Sequence, residues 1–138
     1  MELKLSKTKG VFGMELKNER GAVVEMNATP KIGGEAIGFR PMELLAGSLA
    51  GCSSIDVLNI LQKQKIFPKA FEVKIKATRR EDEVPSTFKT IHLIFQVSPE
   101  TPLLKVEKAA SLSVEKYCSV SKILEPTCSI SWEVIHTK

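Results

Sequence analysis

From Pro41 onwards the chain commits to one long helix, and that helix constrains everything around it. Proline suits a first helical position, where its missing N–H would have had no intrahelical partner. Glu43 in the first turn suits the positive end of the helix dipole. Apolar residues recur at Leu45, Leu49, Cys52, Ile55 and Ile60, a helical spacing that carries the pattern to Leu61. Ala46, Gly47, Ser48, Ala50, Gly51, Ser53 and Ser54 crowd the same segment. Glycine inside a helix costs about 1 kcal/mol relative to alanine. Two of them here predict close approach by another backbone, or room for a small molecule beside Cys52. Ser48, Ser53, Ser54, Asp56 and Asn59 interrupt the apolar run, so no window approaches the ~20 apolar residues of a membrane helix. Pro68 is expected to end the helix.

The flanking patterns are those of strands. Glu2 to Ser6, Met14 to Lys17 and Ala22 to Met26 alternate, with Gly10, Gly13, Asn18 and Gly21 between them, which predicts an antiparallel meander of two or three strands. Asn27 to Gly38 reads as a loop. Phe71, Val73, Ile75 and Ala77 alternate with charged residues, and Phe88, Ile91, Leu93, Phe95 and Val97 supply a hairpin partner. Pro102 starts a second helix, Ser113 has the look of a fresh N-cap, and a short helix runs through Cys118 to Leu124. Ile130, Trp132, Val134 and His136 alternate as a last strand. This order predicts an α+β fold, with residues 1–138 forming a single domain.

Charge and composition exclude several classes of function. The net charge of +4 is spread along the chain, and Arg79-Arg80 is followed at once by Glu81, Asp82 and Glu83, which reads as a solvated hairpin tip rather than a phosphate-binding stripe. One Trp and one Tyr make a poor base-stacking platform, so no nucleic-acid partner is expected. The segment Met1 to Lys7 has no signal-peptide core. Together these features predict a cytoplasmic protein with no membrane partner. No phosphate loop or hydrolase motif is present. Zinc-ligand spacings such as C-x₂-C or H-x₃-H are absent as well, so neither cofactor nor metal is expected, with His92 and His136 placed on strands.

Three cysteines cannot all pair within one chain, and in a reducing compartment their plain role is that of small buried apolar residues. Cys52 and Cys118 each sit within a helix pattern, which opens a second possibility, thiol redox chemistry. A thiol near pKa 8.5 must ionise to react, and burial opposes that, so Cys52 needs a cationic or hydrogen-bonding partner. Arg40 stands at the mouth of the helix, but twelve residues span about 18 Å at ~1.5 Å each. Arg40 therefore meets Cys52 only through a second chain or a loop that folds back. Glu43 lies on the opposite side of the helix wheel from Cys52. It either orients an arginine or serves as a first-turn acid. Cys128, beside the last strand, is expected to be structural.

Arg40-Pro41-Met42-Glu43-Leu44-Leu45-Ala46-Gly47-Ser48-Leu49-Ala50-Gly51-Cys52-Ser53-Ser54-Ile55-Asp56-Val57 resembles the first-helix motif of the OsmC/Ohr family. Glu115-Lys116-Tyr117-Cys118-Ser119-Val120 resembles its second-cysteine motif, and Arg79-Arg80-Glu81 with the strands after it is similar to the YhfA-like branch. The resemblance runs from about Gly13 to Val134. It implies an OsmC-like fold, an intertwined homodimer with antiparallel sheets wrapped around two long central helices. It implies a thiol peroxidase acting on organic hydroperoxides or hydrogen peroxide, with Cys52 peroxidatic, Cys118 resolving and a dithiol as reductant. In the peroxidase branches an acid directly follows the helix-opening proline and an arginine stands in the N-terminal strands. Here those places hold Met42 and the Gly10–Gly13 stretch with Val11 and Phe12. Arg40 and Glu43 are the candidate substitutes. The alternative reading is a dimeric small-ligand-binding or redox-sensing protein of the same fold, without catalysis.

Overall fold

The computed structural model describes residues 1–138. The chain is α+β, in the order β1 (Leu3–Lys7), β2 (Met14–Asn18), β3 (Val23–Met26), α1 (Pro41–Lys63), β4 (Phe71–Arg79), β5 (Phe88–Val97), α2 (Leu103–Leu112), α3 (Ser119–Leu124) and β6 (Ser129–His136). It divides into two compact units, Met1–Leu45 and Ala46–Lys138.

The first unit is the expected meander. β1, β2 and β3 pair antiparallel in sequence order, with Leu3 opposite Asn18 and Met14 opposite Met26. Asn18 closes the second turn: its Oδ1 accepts from the N–H groups of Arg20 and Ala22, both at 3.0 Å, and Gly21 supplies the positive φ of 83°. The loop that follows is tied by buried Asn27, whose Oδ1 accepts from the Ala28 and Glu35 N–H groups.

In the second unit β4 and β5 form an antiparallel hairpin, Phe71 opposite Val97, and β6 joins β5 in parallel, Thr90 beside Ser129. A parallel pair needs a crossover, and α2 and α3 provide it. β5 is the central strand. Its Ile91, Leu93, Phe95 and Val97 are fully buried, as are Leu49, Val57 and Leu61 of α1 and Val106 and Ala109 of α2.

Two helix ends differ from the sequence expectation. α1 stops at Lys63, ahead of Pro68. Lys65 takes the left-handed region at φ 59°, while Ile66 N–H donates to Leu61 O (3.0 Å) and Lys65 N–H to Gln62 O (2.9 Å). These are the two bonds of a Schellman motif, which satisfies carbonyls that proline could not. Ser113 is no N-cap. It is helical at φ −64° and ψ −62°, and α2 runs through it into a π-helical turn, Ser113–Tyr117, closed by Cys118 N–H donating to Ser113 O at 2.8 Å. Cys118 is the N-cap instead, extended at φ −68° and ψ 108°, with its sulfur accepting from Ser121 N–H at 3.3 Å.

One expectation about α1 also changes. The helix is long and apolar enough to cross a membrane by length and composition, with a mean hydropathy of 1.6. Its Ala, Gly and Ser residues interrupt a count of large apolar side chains but lower the average little. The same composition serves a helix partly buried in a protein core. Gly47 and Gly51 have no close backbone neighbour within this chain: a Cβ added at either meets nothing within 4 Å. Ala46, Leu49, Ala50, Ser53, Val57 and Leu61 form the buried face. At about 100° per residue, Gly47, Gly51, Ile55 and Leu58 share another face, on which Ile55 is 71% exposed.

Candidate redox site

Cys52 lies on the border between these two faces of α1, and Asp56 follows one turn later on the same edge. The π-helical turn brings Cys118 up to them. The Cys52 sulfur, the Cys118 sulfur and an Asp56 carboxylate oxygen all lie within 4.8 Å of one another, in a single chain. All three cysteines are free thiols. Cys118 is completely buried, while Cys52 and Asp56 are half-buried. Ser113 fixes the acid: its buried hydroxyl donates to Asp56 Oδ2 at 3.0 Å, with Ser53 O a second acceptor at 3.3 Å. Ser121 fixes the turn: its hydroxyl donates to Val114 O at 2.7 Å while its N–H meets the Cys118 sulfur. A π-turn inserts an extra residue into a helix and often marks a functional site. Here it ends α2 so that Cys118 adopts the extended backbone of a cap.

The Cys118 thiol is pushed up from its ordinary value, first by burial. Hydrogen bonding from the Ser53 hydroxyl and the Ser121 N–H pulls the other way, and the neighbouring Cys52 adds to the rise. Ser53 Oγ is buried without a partner of ordinary hydrogen-bond geometry, yet it is close enough to Cys118 to act on it. No cation is among the groups acting on Cys118.

Arg40 and Glu43 meet each other at the start of α1. Glu43 Oε2 accepts from the Arg40 backbone N–H at 2.8 Å, the returning half of a capping box. The Arg40 guanidinium donates to carbonyl oxygens of Glu35 (3.2 Å), Asn27 (3.4 Å) and Ile37 (3.5 Å), which pins the loop before the helix. Cys128 is buried with its sulfur 3.5 Å from Leu124 O. His92 bonds Ser131 Oγ (2.8 Å) and Glu133 (3.3 Å) across β5 and β6, and His136 Nε2 bonds Thr101 O at 3.0 Å.

Sequence reasoning passed over Asp56 and Ser113. An acid four residues after a cysteine, inside an otherwise apolar helix, was the available signal for Asp56. Ser113 offered none, because its partner lies 57 residues away.

Residues 33–133 match the OsmC-like protein family, and the chain belongs to it. It is 43% identical over 98 residues to Protein YhfA of Escherichia coli K12, covering 69% of this chain and 72% of that one. A hypothetical protein from Aquifex aeolicus VF5 has a similar structure, with TM-score 0.79, 31% identity, and coverage of 99% of this chain and 97% of the other. The organic hydroperoxide resistance protein OhrB of Bacillus subtilis shares the fold at TM-score 0.68 and 17% identity, over 97% and 96% of the two chains.

Proposed function

We propose that this chain reduces hydroperoxides through its own thiol pair, with Cys52 attacking first and Cys118 resolving. The observation that carries this reading is the approach of the two sulfurs to within 4.8 Å, with Cys52 reachable from solvent and Cys118 sealed. The Cys52 thiolate displaces alkoxide from the peroxide O–O bond, the alkoxide takes a proton from solvent, and Cys52 becomes a sulfenic acid. The Cys118 sulfur then attacks the Cys52 sulfur. Its proton leaves with the hydroxyl as water, and a disulfide forms. Exchange with an external dithiol restores both thiols and carries off the oxidising equivalents. Cys118 stays protonated while Cys52 reacts, because burial holds its proton. The substrate class is organic hydroperoxide or hydrogen peroxide, and the setting is a cytoplasmic homodimer. The family membership and the naming of structural neighbours as organic hydroperoxide resistance proteins support this reading.

The test is peptide-mapped mass after a brief stoichiometric pulse of cumene hydroperoxide, with hydrogen peroxide in parallel. A Cys52–Cys118 linked peptide formed within seconds supports the mechanism. Cys118→Ser should stall as sulfenic acid on Cys52, and Cys52→Ser should be inert. Full turnover by Cys52→Ser would remove the mechanism. One observation favours redox sensing instead: Asp56 stands beside the two sulfurs, and no cation is among the groups acting on Cys118. Under that reading the disulfide forms slowly and without turnover.

A further inference from the structure

Two sulfurs and a carboxylate converging on one point make a donor set that peroxide chemistry does not call for. Zinc takes thiolate at ~2.3 Å and carboxylate at ~2.0–2.2 Å, so its tetrahedral ligands sit roughly 3.4–3.8 Å apart. Three donors already within 4.8 Å of one another stand close to that spacing. We propose that the reduced chain binds one zinc-class divalent cation at Cys52, Asp56 and Cys118.

The surroundings are built for it. Ser113 Oγ holds Asp56 through Oδ2, which leaves the other carboxylate oxygen for a metal. Outer hydrogen bonds of this kind orient metal ligands. Ser121 N–H already points at the Cys118 sulfur. Ser53 Oγ, fully buried beside Cys118 and without another partner, bonds that sulfur more strongly once it is a thiolate. Each metal–sulfur bond replaces a thiol proton, which passes to solvent. Three protein ligands leave a fourth position for water or an external thiol, as in zinc sites that remain open to chemistry. Asp56 and Cys52 are half-buried, so an ion can enter. The inference needs only reduced thiols and stands apart from the hydroperoxide reading, although a bound ion would shield both sulfurs from oxidants.

The experiment is titration of metal-free, reduced protein with Co²⁺ as the probe, followed by Zn²⁺. One equivalent per chain should give thiolate-to-cobalt charge-transfer absorption and tetrahedral d–d bands, and Zn²⁺ should abolish both. Cys52→Ser and Cys118→Ser should each weaken binding at least a hundredfold. Asp56→Asn should weaken it by at least roughly 10–100-fold, and Asp56→His, which restores a zinc donor, should recover it. Cys128→Ser should bind as the wild type does. Should Cys118→Ser fail to fold, Cys52→Ser at the half-exposed position carries the test. The proposal is overturned by absence of tetrahedral bands in the reduced wild type, by binding that survives Cys52→Ser, or by binding lost in Cys128→Ser. No peroxide enters this titration, so its failure and the failure of the peroxidase reading are separate results.

Discussion

Replacing Ser113 with alanine probes whether the link between α1 and the end of α2 is a working contact. The Ser113 hydroxyl is fully buried and donates to a carboxylate at 3.0 Å. Hydrogen bonds to charged groups contribute about 1.5–3 kcal/mol. Asp56 is half-buried, so water recovers part of that loss for the acceptor. The Ser53 carbonyl loses a weaker bond at 3.3 Å. The expected cost is therefore about 1–2 kcal/mol. Unfolding entropy near 2.1 cal/mol/K per residue over 138 residues gives roughly 290 cal/mol/K, so the midpoint should fall by about 3–7 °C. The assay is thermal and urea unfolding of reduced protein in chelator, with the urea midpoint moving and the slope unchanged. A double-mutant cycle with Asp56→Ala should return a coupling of about 1 kcal/mol, since the two residues share one bond that either truncation removes. A Ser113→Ala midpoint within about a degree of wild type, or strict additivity with Asp56→Ala, would refute the contact.

Three further outcomes follow from local geometry. Lys65→Gly should stabilise the fold by about 0.5–1 kcal/mol in urea unfolding, because a left-handed backbone strains any residue with a Cβ. Glu43→Gln should keep most of the stability that Glu43→Ala loses, about 0.5–1 kcal/mol, since either Glu or Gln can bond the Arg40 N–H; equal losses would assign Glu43 a role beyond capping. Cys118 has its thiol raised in the folded state, so the folded chain holds that proton more tightly than the unfolded chain does. Its contribution is complete below the ordinary thiol range and is lost as pH climbs through the raised value, so Cys118→Ala should flatten the alkaline decline in stability measured in chelator.

What could be read from the chain alone divides along physical lines. Strand alternation and the Pro41 helix start are local signals, and both elements appear where the pattern puts them. The cysteines were legible as candidates but not as neighbours, because their meeting depends on how the 65 residues between them fold. The π-turn escaped because its sequence, Ser113 to Tyr117, is ordinary helix-compatible text. Ser113 looked like a cap because serine favours that position, and tertiary bonding to Asp56 overrode the preference. Arg40 and Glu43 drew attention as charges near a cysteine motif. Their structural bonds are local, to the loop carbonyls and the helix's own first N–H.

One face of α1 is left uncovered within the chain. Gly47 and Gly51 leave its surface low, and Ile55 and Leu58 stand exposed on the same side. Isolated apolar residues on a surface are common, but a helix that buries one apolar face and presents a second is built for two neighbours. A second copy of this chain is the neighbour we propose. In a two-fold interface each residue acts twice. Burying one isoleucine contributes about 1.5–3 kcal/mol, so Ile55→Asp removes about 3–6 kcal/mol from a dimer before charge desolvation is added. That loosens the dissociation constant by roughly 10²–10⁴-fold. Light scattering at micromolar protein should find a wild-type dimer and an Ile55→Asp monomer with unchanged helical circular dichroism. A wild-type monomer would leave the glycine face without a function in self-association. A dimer that ignores Ile55→Asp would place the interface on another surface.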